Sequence, residues 1–185
     1  MRLVTPSLQH LPSYIKALET GWSPNNMRSE AAQEELARVL DSPESFLESL
    51  GSTKIAGDPI PLPDGTTVPR LPGYRRWMWD GEFCGSIGLR WQWGTSALPP
   101  YCLGHIGYAV VPWKRRLGYA TQALKQLLPE TKTLGLSYVE ITTSLDNTIS
   151  KRVIESNGGV FIEEFPLPAA YGKGAECRYR ILLTP

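Results

Sequence analysis

The stretch Val110 to Thr121, VVPWKRRLGYAT, decides how this chain is read. A β-rich run, LGHIGYAVV (103–111), leads into it and stops at Pro112, which has no amide to give a strand ladder. An arginine-rich turn follows. A helical stripe then runs through Ala120, Leu124, Leu127 and Leu128, with Pro129 expected to break it. The first amides of a helix have no internal partner, and the helix dipole favours anions at that end. Gly118 lets a ligand approach the backbone, and Ala120 keeps the next amide accessible. Lys114, Arg115 and Arg116 add positive charge. These residue types describe a cradle for a pyrophosphate. The chain has neither the Gly-Lys-Ser/Thr of a P-loop nor G-x-G-x-x-G, which disfavours nucleoside triphosphate and dinucleotide folds.

Outward from the cradle, LSYVEITTSL (136–145) reads as a second strand. DNTISKRVIESNGG (146–159) reads as a short helix with Asn147 or Asp146 as cap and Gly158 as stop. VFIEEF (160–165) and ECRYRILL (176–183) close the chain as two strands. Upstream, Asp80-Gly81 sits between two β-rich runs, a strong hairpin signal. Trp77 and Trp79 share one sheet face by alternation, as do Trp91 and Trp93. Core and sheet packing accounts for them. A stacking platform for single-stranded nucleic acid is the alternative, but basic residues are confined to Arg75, Arg76 and Arg90. Ser7 is placed to cap a first helix, and Ser29 a second that Pro43 interrupts. Residues 51–73 hold five prolines, and form either a proline-stiffened surface loop or a lid over the substrate.

The chain has 185 residues, 19 Lys+Arg against 18 Asp+Glu, a formal charge of +1 and 42% hydrophobic residues. That suits one domain over 1–185, able to bury roughly 70% of its unfolded surface. Balanced charge gives no footprint for nucleic acid or an anionic membrane. No apolar run reaches the ~18 residues of a span, and the N-terminus lacks a signal-peptide core, so a cytoplasmic protein is expected. Three dispersed cysteines and two isolated histidines argue against a disulfide framework or a metal site.

Val110, Pro112, Arg115, Gly118 and Ala120 together resemble the V-x-P-x-x-[RQ]-x-x-G-x-[GA] signature of the GNAT superfamily of acyl-CoA N-acyltransferases. Asn147, Ser150 and the pair Gly158-Gly159 resemble that family's later element. The resemblance spans about residues 75–183. It implies an α/β (α+β) three-layer fold: a mixed central sheet with splayed parallel strands, Ile106–Val111 and Tyr138–Ser144, flanked by helices. It implies acetyl-CoA as co-substrate, an amine acceptor and no metal; dimers are frequent in the family. By the same resemblance the main chain of Tyr108, Ala109 and Val110 meets the pantetheine arm. The amides of Arg116, Leu117, Gly118, Tyr119, Ala120 and Thr121 hold the pyrophosphate beside Arg115. Asn147 and Ser150 approach from the opposite strand.

Direct attack of an amine on a thioester needs a base or water relay, an oxyanion donor and near-attack geometry. Glu140 and His105 are the base candidates, each with a structural alternative: a paired strand carboxylate and a satisfied histidine. Glu82 reads as simply exposed. Many relatives carry a Tyr as general acid where this chain has Ile154, which leaves that role to water or to another Tyr such as Tyr171. The same departure keeps a second reading open, a non-catalytic acyl-CoA-binding module.

Overall fold

The computed structural model describes residues 1–25, 28–51 and 59–183. In chain order they form β1 (Arg2–Val4), α1 (Leu11–Glu19), α2 (Ala31–Asp41), α3 (Pro43–Ser49), β2 (Ile60–Pro61) and β3 (Thr67–Val68). The hairpin of β4 (Gly73–Trp79) and β5 (Phe83–Arg90) turns at Asp80-Gly81 as expected, and β6 (Ile106–Val110) follows. Then come α4 (Tyr119–Lys132), β7 (Tyr138–Ser144), α5 (Thr148–Glu155), β8 (Val160–Pro166) and β9 (Ala175–Leu182).

Two larger antiparallel sheets result, ordered β1-β4-β5-β6 and β7-β9-β8, beside the small β2–β3 pair. They meet at one end of β6 and β7. His105 N–H donates to the Glu140 carbonyl at 2.7 Å, and Glu140 N–H donates to His105 Nδ1 at 2.9 Å. Gly104 makes the approach feasible, because a Cβ there would lie 3.1 Å from the Glu140 carbonyl oxygen. Farther along, Tyr108 of β6 faces Ser150 beyond the end of β7, so the two strands run in the same direction. No ladder joins them past the junction among the described residues. The splayed parallel pair is therefore present, with β6 ending at Val110.

The joined sheets form the middle of three layers. On one face Ile87, Leu89 and Ile106 pack with Ala123, Leu124 and Leu127 of α4 and Val153 and Ile154 of α5. On the other, Trp77, Phe83 and Val111 pack with Tyr14 and Leu18 of α1, Val39 of α2 and Phe46 of α3. Arg75 Nη1 donates to both Glu35 oxygens at 2.9 and 3.1 Å, and Tyr14 donates to the same carboxylate, which ties α1, α2 and β4 together.

Several local expectations are corrected. α4 runs through Pro129 to Lys132. Proline in a helix interior costs about 3 kcal/mol. Ala123, Leu124, Leu127 and Thr131 are all fully buried there, and the Thr131 hydroxyl donates to the Leu128 carbonyl at 2.6 Å. Ser7 stands at the N-cap of a 3₁₀ turn (Leu8–His10) that runs into α1, but its hydroxyl makes no cap bond and pairs instead with His10 Nδ1 at 2.8 Å. Glu30, rather than Ser29, holds the N-cap position of α2, with no side-chain cap bond. β1 was not expected; it pairs with β4 from Arg2 opposite Trp79 to Val4 opposite Trp77. Trp77 and Trp79 share a face on which both meet the His10 ring, whereas Trp91 lies beyond β5, buried while Trp93 is exposed. Burial of Trp77 and Trp91 supports packing over a stacking platform. Within the proline-rich segment, 52–58 lie outside the described residues. The remainder forms the β2–β3 pair, and Asp64 N–H donates to the Ala170 carbonyl at 3.2 Å, against the β8–β9 connection.

The junction histidine makes stability pH-dependent. Burial lowers the His105 pKa to about 4, so the folded protein keeps the ring neutral where an unfolded chain, near 6.5, is already protonated. Stability is full above 6.5 and declines as pH falls toward 4, by roughly 3 kcal/mol in total from this group. Urea unfolding of the wild type and of His105→Gln from pH 7 to 4.5 should show a shallower decline in the variant. Equal slopes would contradict the assignment.

Candidate functional site

The gap between β6 and β7 is lined by backbone. Antiparallel ladders use alternate residues. On β6, Val111 N–H bonds Cys84 and the His105 carbonyl bonds Arg90, both toward β5. Alternation therefore turns the main chains of Tyr108 and Val110 to the gap. On β7, the Ser137 carbonyl accepts from Leu183 on the β9 side, so Glu140, Thr142 and Ser144 face the gap. The bonds of Glu140 to His105 agree with this parity. Beyond the junction the gap thus presents peptide groups from both strands, with Ala109 between them on β6 directed toward β5.

At the wide end, the chain leaves β6 through a 3₁₀ turn (Pro112–Lys114) and enters α4 with Gly118 as N-cap. Gly118 has φ 73°, and Arg116 has φ 63°, a region non-glycine residues seldom adopt. These conformations fold the turn so that six consecutive amides, Arg116 to Thr121, make no hydrogen bond to the protein among the described residues. The first bond back to the cap is Gln122 N–H to the Gly118 carbonyl at 3.0 Å, and no acidic side chain occupies the first turn. Such a run of donors at a helix start can take an anion.

The charge around this turn is not as the sequence suggested. Lys114 Nζ lies 3.0 Å from Asp80 Oδ2 and 2.7 Å from Glu82 Oε1, so its charge is committed to the β4–β5 hairpin. Glu82 is therefore a partner in an ion pair rather than merely exposed. Arg115 and Arg116 remain as the local cations, with Arg115 Nε directed back to the Val110 carbonyl at 3.4 Å. The Tyr119 hydroxyl donates to Asp80 Oδ2 at 2.6 Å, anchoring the first turn of α4 on the hairpin. That bond and the Lys114 ammonium hold the Asp80 carboxyl well below the usual carboxylate range. Cys84, beside Asp80, is pushed up to about 12 by burial and is an unreactive thiol.

Asn147 Oδ1 accepts from Ser150 N–H at 3.0 Å, so its side chain caps α5. The Ser150 hydroxyl pairs with the Tyr108 hydroxyl at 2.8 Å, bringing α5 and β6 together across the gap, and burial raises Tyr108 to about 12. Ile154, one turn after Ser150, is fully buried in the core; a Cβ on Gly159 would lie 2.3 Å from its Cγ2, so this position carries no hydroxyl and no room for one. Tyr171 donates to the Tyr101 carbonyl at 2.5 Å. His105 and Glu140 are brought together, but as partners of each other. His105 is wholly buried, with Nδ1 accepting from Glu140 N–H, so the remaining ring proton sits on Nε2. The Glu140 carboxylate accepts from Arg178 at 2.9 Å and from Arg180 at 2.6 Å and 3.1 Å. One residue on this face was missed by sequence reasoning, Glu176 of β9, because only the β7–β9 register brings it opposite Ser144.

A splayed sheet with an amide cradle at the start of the following helix has free backbone donors suited to an anion at the mouth of an open gap between two strands. Residues 66–160 match the acetyltransferase (GNAT) domain family, just over half of the chain. The chain belongs to that family and is an acetyltransferase by membership. No curated protein matches it. Among solved structures, the microcin C7 self-immunity acetyltransferase MccE, in complex with acetyl-CoA and AMP, has a TM-score of 0.62 at 11% identity, covering 97% of this chain and 91% of that one. The acetyl transferase from Salmonella typhimurium that modifies the N-terminal serine of ribosomal protein L7/L12 has a TM-score of 0.61 at 15% identity, covering 98% and 94%. RimL, a ribosomal L7/L12 α-N-protein acetyltransferase in complex with coenzyme A, has 0.60 at 13% identity, covering 98% and 93%. These likenesses establish the shared fold.

The Tyr119–Asp80 bond is the testable support of the cradle. Tyr119→Phe should weaken coenzyme A binding several-fold by calorimetry while the unfolding midpoint moves little, since a solvent-exposed hydrogen bond adds little to stability. Unchanged affinity would show that the turn holds its shape without the anchor.

Proposed function

We propose that this chain, acting as one domain, transfers the acetyl group of acetyl-CoA to an amine acceptor by direct attack in a ternary complex. The observation that carries the proposal is the run of six unpartnered amides, Arg116 to Thr121, opening onto the gap between β6 and β7. Those amides would hold the pyrophosphate, with Arg115 and Arg116 supplying charge. The gap-facing peptide groups of Tyr108 and Val110 on one side, and of Thr142 and Ser144 on the other, suit a ligand arm that carries two amides. Acetyl-CoA supplies an activated acyl group. This chain's residues orient it and exclude water from the gap.

A gap-facing β6 amide, that of Tyr108 or Val110, would take the charge that develops on the thioester oxygen. The Tyr108 and Ser150 hydroxyls, sharing a hydrogen bond across the gap, are the nearest proton donors to a leaving sulfur there. His105 and Glu140 are assigned to holding the junction, since the lone pair on His105 Nδ1 is taken by the Glu140 amide and the Glu140 carboxylate by Arg178 and Arg180. The loss of a hydroxyl at Ile154 favours one second reading, an acyl-CoA-binding module without turnover.

Acetyl-CoA at ~100 times its dissociation constant should stabilise the protein by about 2.7 kcal/mol, a rise of roughly 5–10 °C in the unfolding midpoint. Thiol release should then appear when a panel of small amines, amino acids and N-terminal peptides is added. No thermal shift at millimolar acetyl-CoA overturns the cofactor assignment. A shift without thiol release across the panel supports the binding module.

A further inference from the structure

The β9 strand runs down the middle of the second sheet, and its residues 176, 178 and 180 share the face opposite α4 and α5. Opposite them on β7 stand Ser144, Thr142 and Glu140 in register. β8 contributes Glu163 and Phe165, placed opposite Arg178 and Glu176. The charges on this face are mostly consumed. Glu140 pairs with Arg178 and Arg180, and Glu163 pairs with Arg178 at 3.0 Å. The Arg178 guanidinium also lies over the Phe165 ring, 4.6 Å from its centroid. Among the described residues, Glu176 is the carboxyl on this face with no ion pair. It is half-buried, and its polar neighbour is the Thr142 hydroxyl.

The position of that neighbour matters. Thr142 lies at the closed end of the gap, its amide 3.3 Å from where a Cβ on Gly104 would stand, with no ladder continuing from there between β6 and β7 among the described residues. A ligand arm anchored at the Arg116–Thr121 cradle enters at the wide end, and one that runs along β6 toward the closed end places its reactive terminus near Gly107 and Thr142. The Glu176 carboxyl therefore stands beside the terminus, on the face an acceptor would approach. The other face is filled by α4, α5 and their core.

We propose that Glu176 is the general base that takes a proton from the acceptor amine, an inference resting on the acetyl-transfer function proposed above. The acceptor arrives as an ammonium and gives one proton to a Glu176 oxygen. The neutral nitrogen forms its bond to the acetyl carbon, and the carbon–sulfur bond breaks with its electron pair leaving on sulfur. The second nitrogen-borne proton passes to the thiolate, and Glu176 releases its own to solvent. Burial raises the Glu176 carboxyl above the ordinary glutamate range, the Thr142 hydroxyl opposing this in part, which moves its basicity toward that needed near neutral pH. His105, Glu140 and Glu163 cannot serve without first giving up their present partners.

The test compares wild type, Glu176→Gln and Glu176→Asp, using the fastest amine of the panel. The expected result for Glu176→Gln is an unchanged thermal shift with acetyl-CoA and little change in KM for acetyl-CoA. Its turnover should drop by roughly two orders of magnitude or more, and the acidic limb of the kcat profile should be lost. Glu176→Asp should fall between the two, and it keeps the test decisive if the Gln variant does not fold. A variant that binds acetyl-CoA and keeps wild-type kcat and pH profile overturns the role of Glu176 and leaves acetyl transfer standing. A wild type that releases no thiol with any amine overturns both.

Discussion

The two sheets of this fold meet through one residue of β7, Glu140, whose N–H and C=O are both taken by His105. Everything that makes a site depends on that contact being short. Because it ends there, β6 and β7 diverge, and their facing peptide groups are left to line a gap rather than complete a ladder. The same residue's carboxylate is clamped by Arg178 and Arg180, so the junction is braced from the sheet side as well. A neutral, buried imidazole suits this task, since a charged ring would carry a desolvation cost and could not accept from the Glu140 amide.

The charge distribution is committed in a similar way. A net charge of +1 conceals a local arrangement in which particular cations, Arg75, Lys114, Arg178 and Arg180 among them, are matched to specific carboxylates. Lys114 closes the β4–β5 hairpin onto the turn, and Tyr119 ties the first turn of α4 to the same Asp80. The backbone donors of 116–121 and two arginines are what remains for an anion. Backbone amides are fixed by the fold, so they need no side-chain ordering when a ligand arrives.

Much of this architecture was legible locally. Asp80-Gly81, Pro112, Gly118 and Asn147 each mark a boundary through their own backbone chemistry, and each boundary falls where those residues place it. What escaped was decided by distant packing. Three residues, Arg2–Val4, are too short to show a strand period. α4 passes Pro129 because Leu124 and Leu127 are buried, not because its own propensity allows it. The cradle residues could be named from their spacing. The commitments of His105, Glu140 and Lys114 could not, because each depends on a partner brought in from a distant part of the chain, 35 residues away for Glu140 and His105. Glu176 was hidden for the same reason, since a strand's register is set by its neighbours.

Whether the gap and its amide cradle hold the cofactor is tested most directly by titrating ¹⁵N-labelled protein with coenzyme A. Large amide shifts are predicted, confined to Arg116–Thr121 and to the gap edges at Tyr108, Val110, Thr142 and Ser144. Shifts concentrated elsewhere, with the amides of Arg116 to Thr121 unmoved at saturation, would contradict that role.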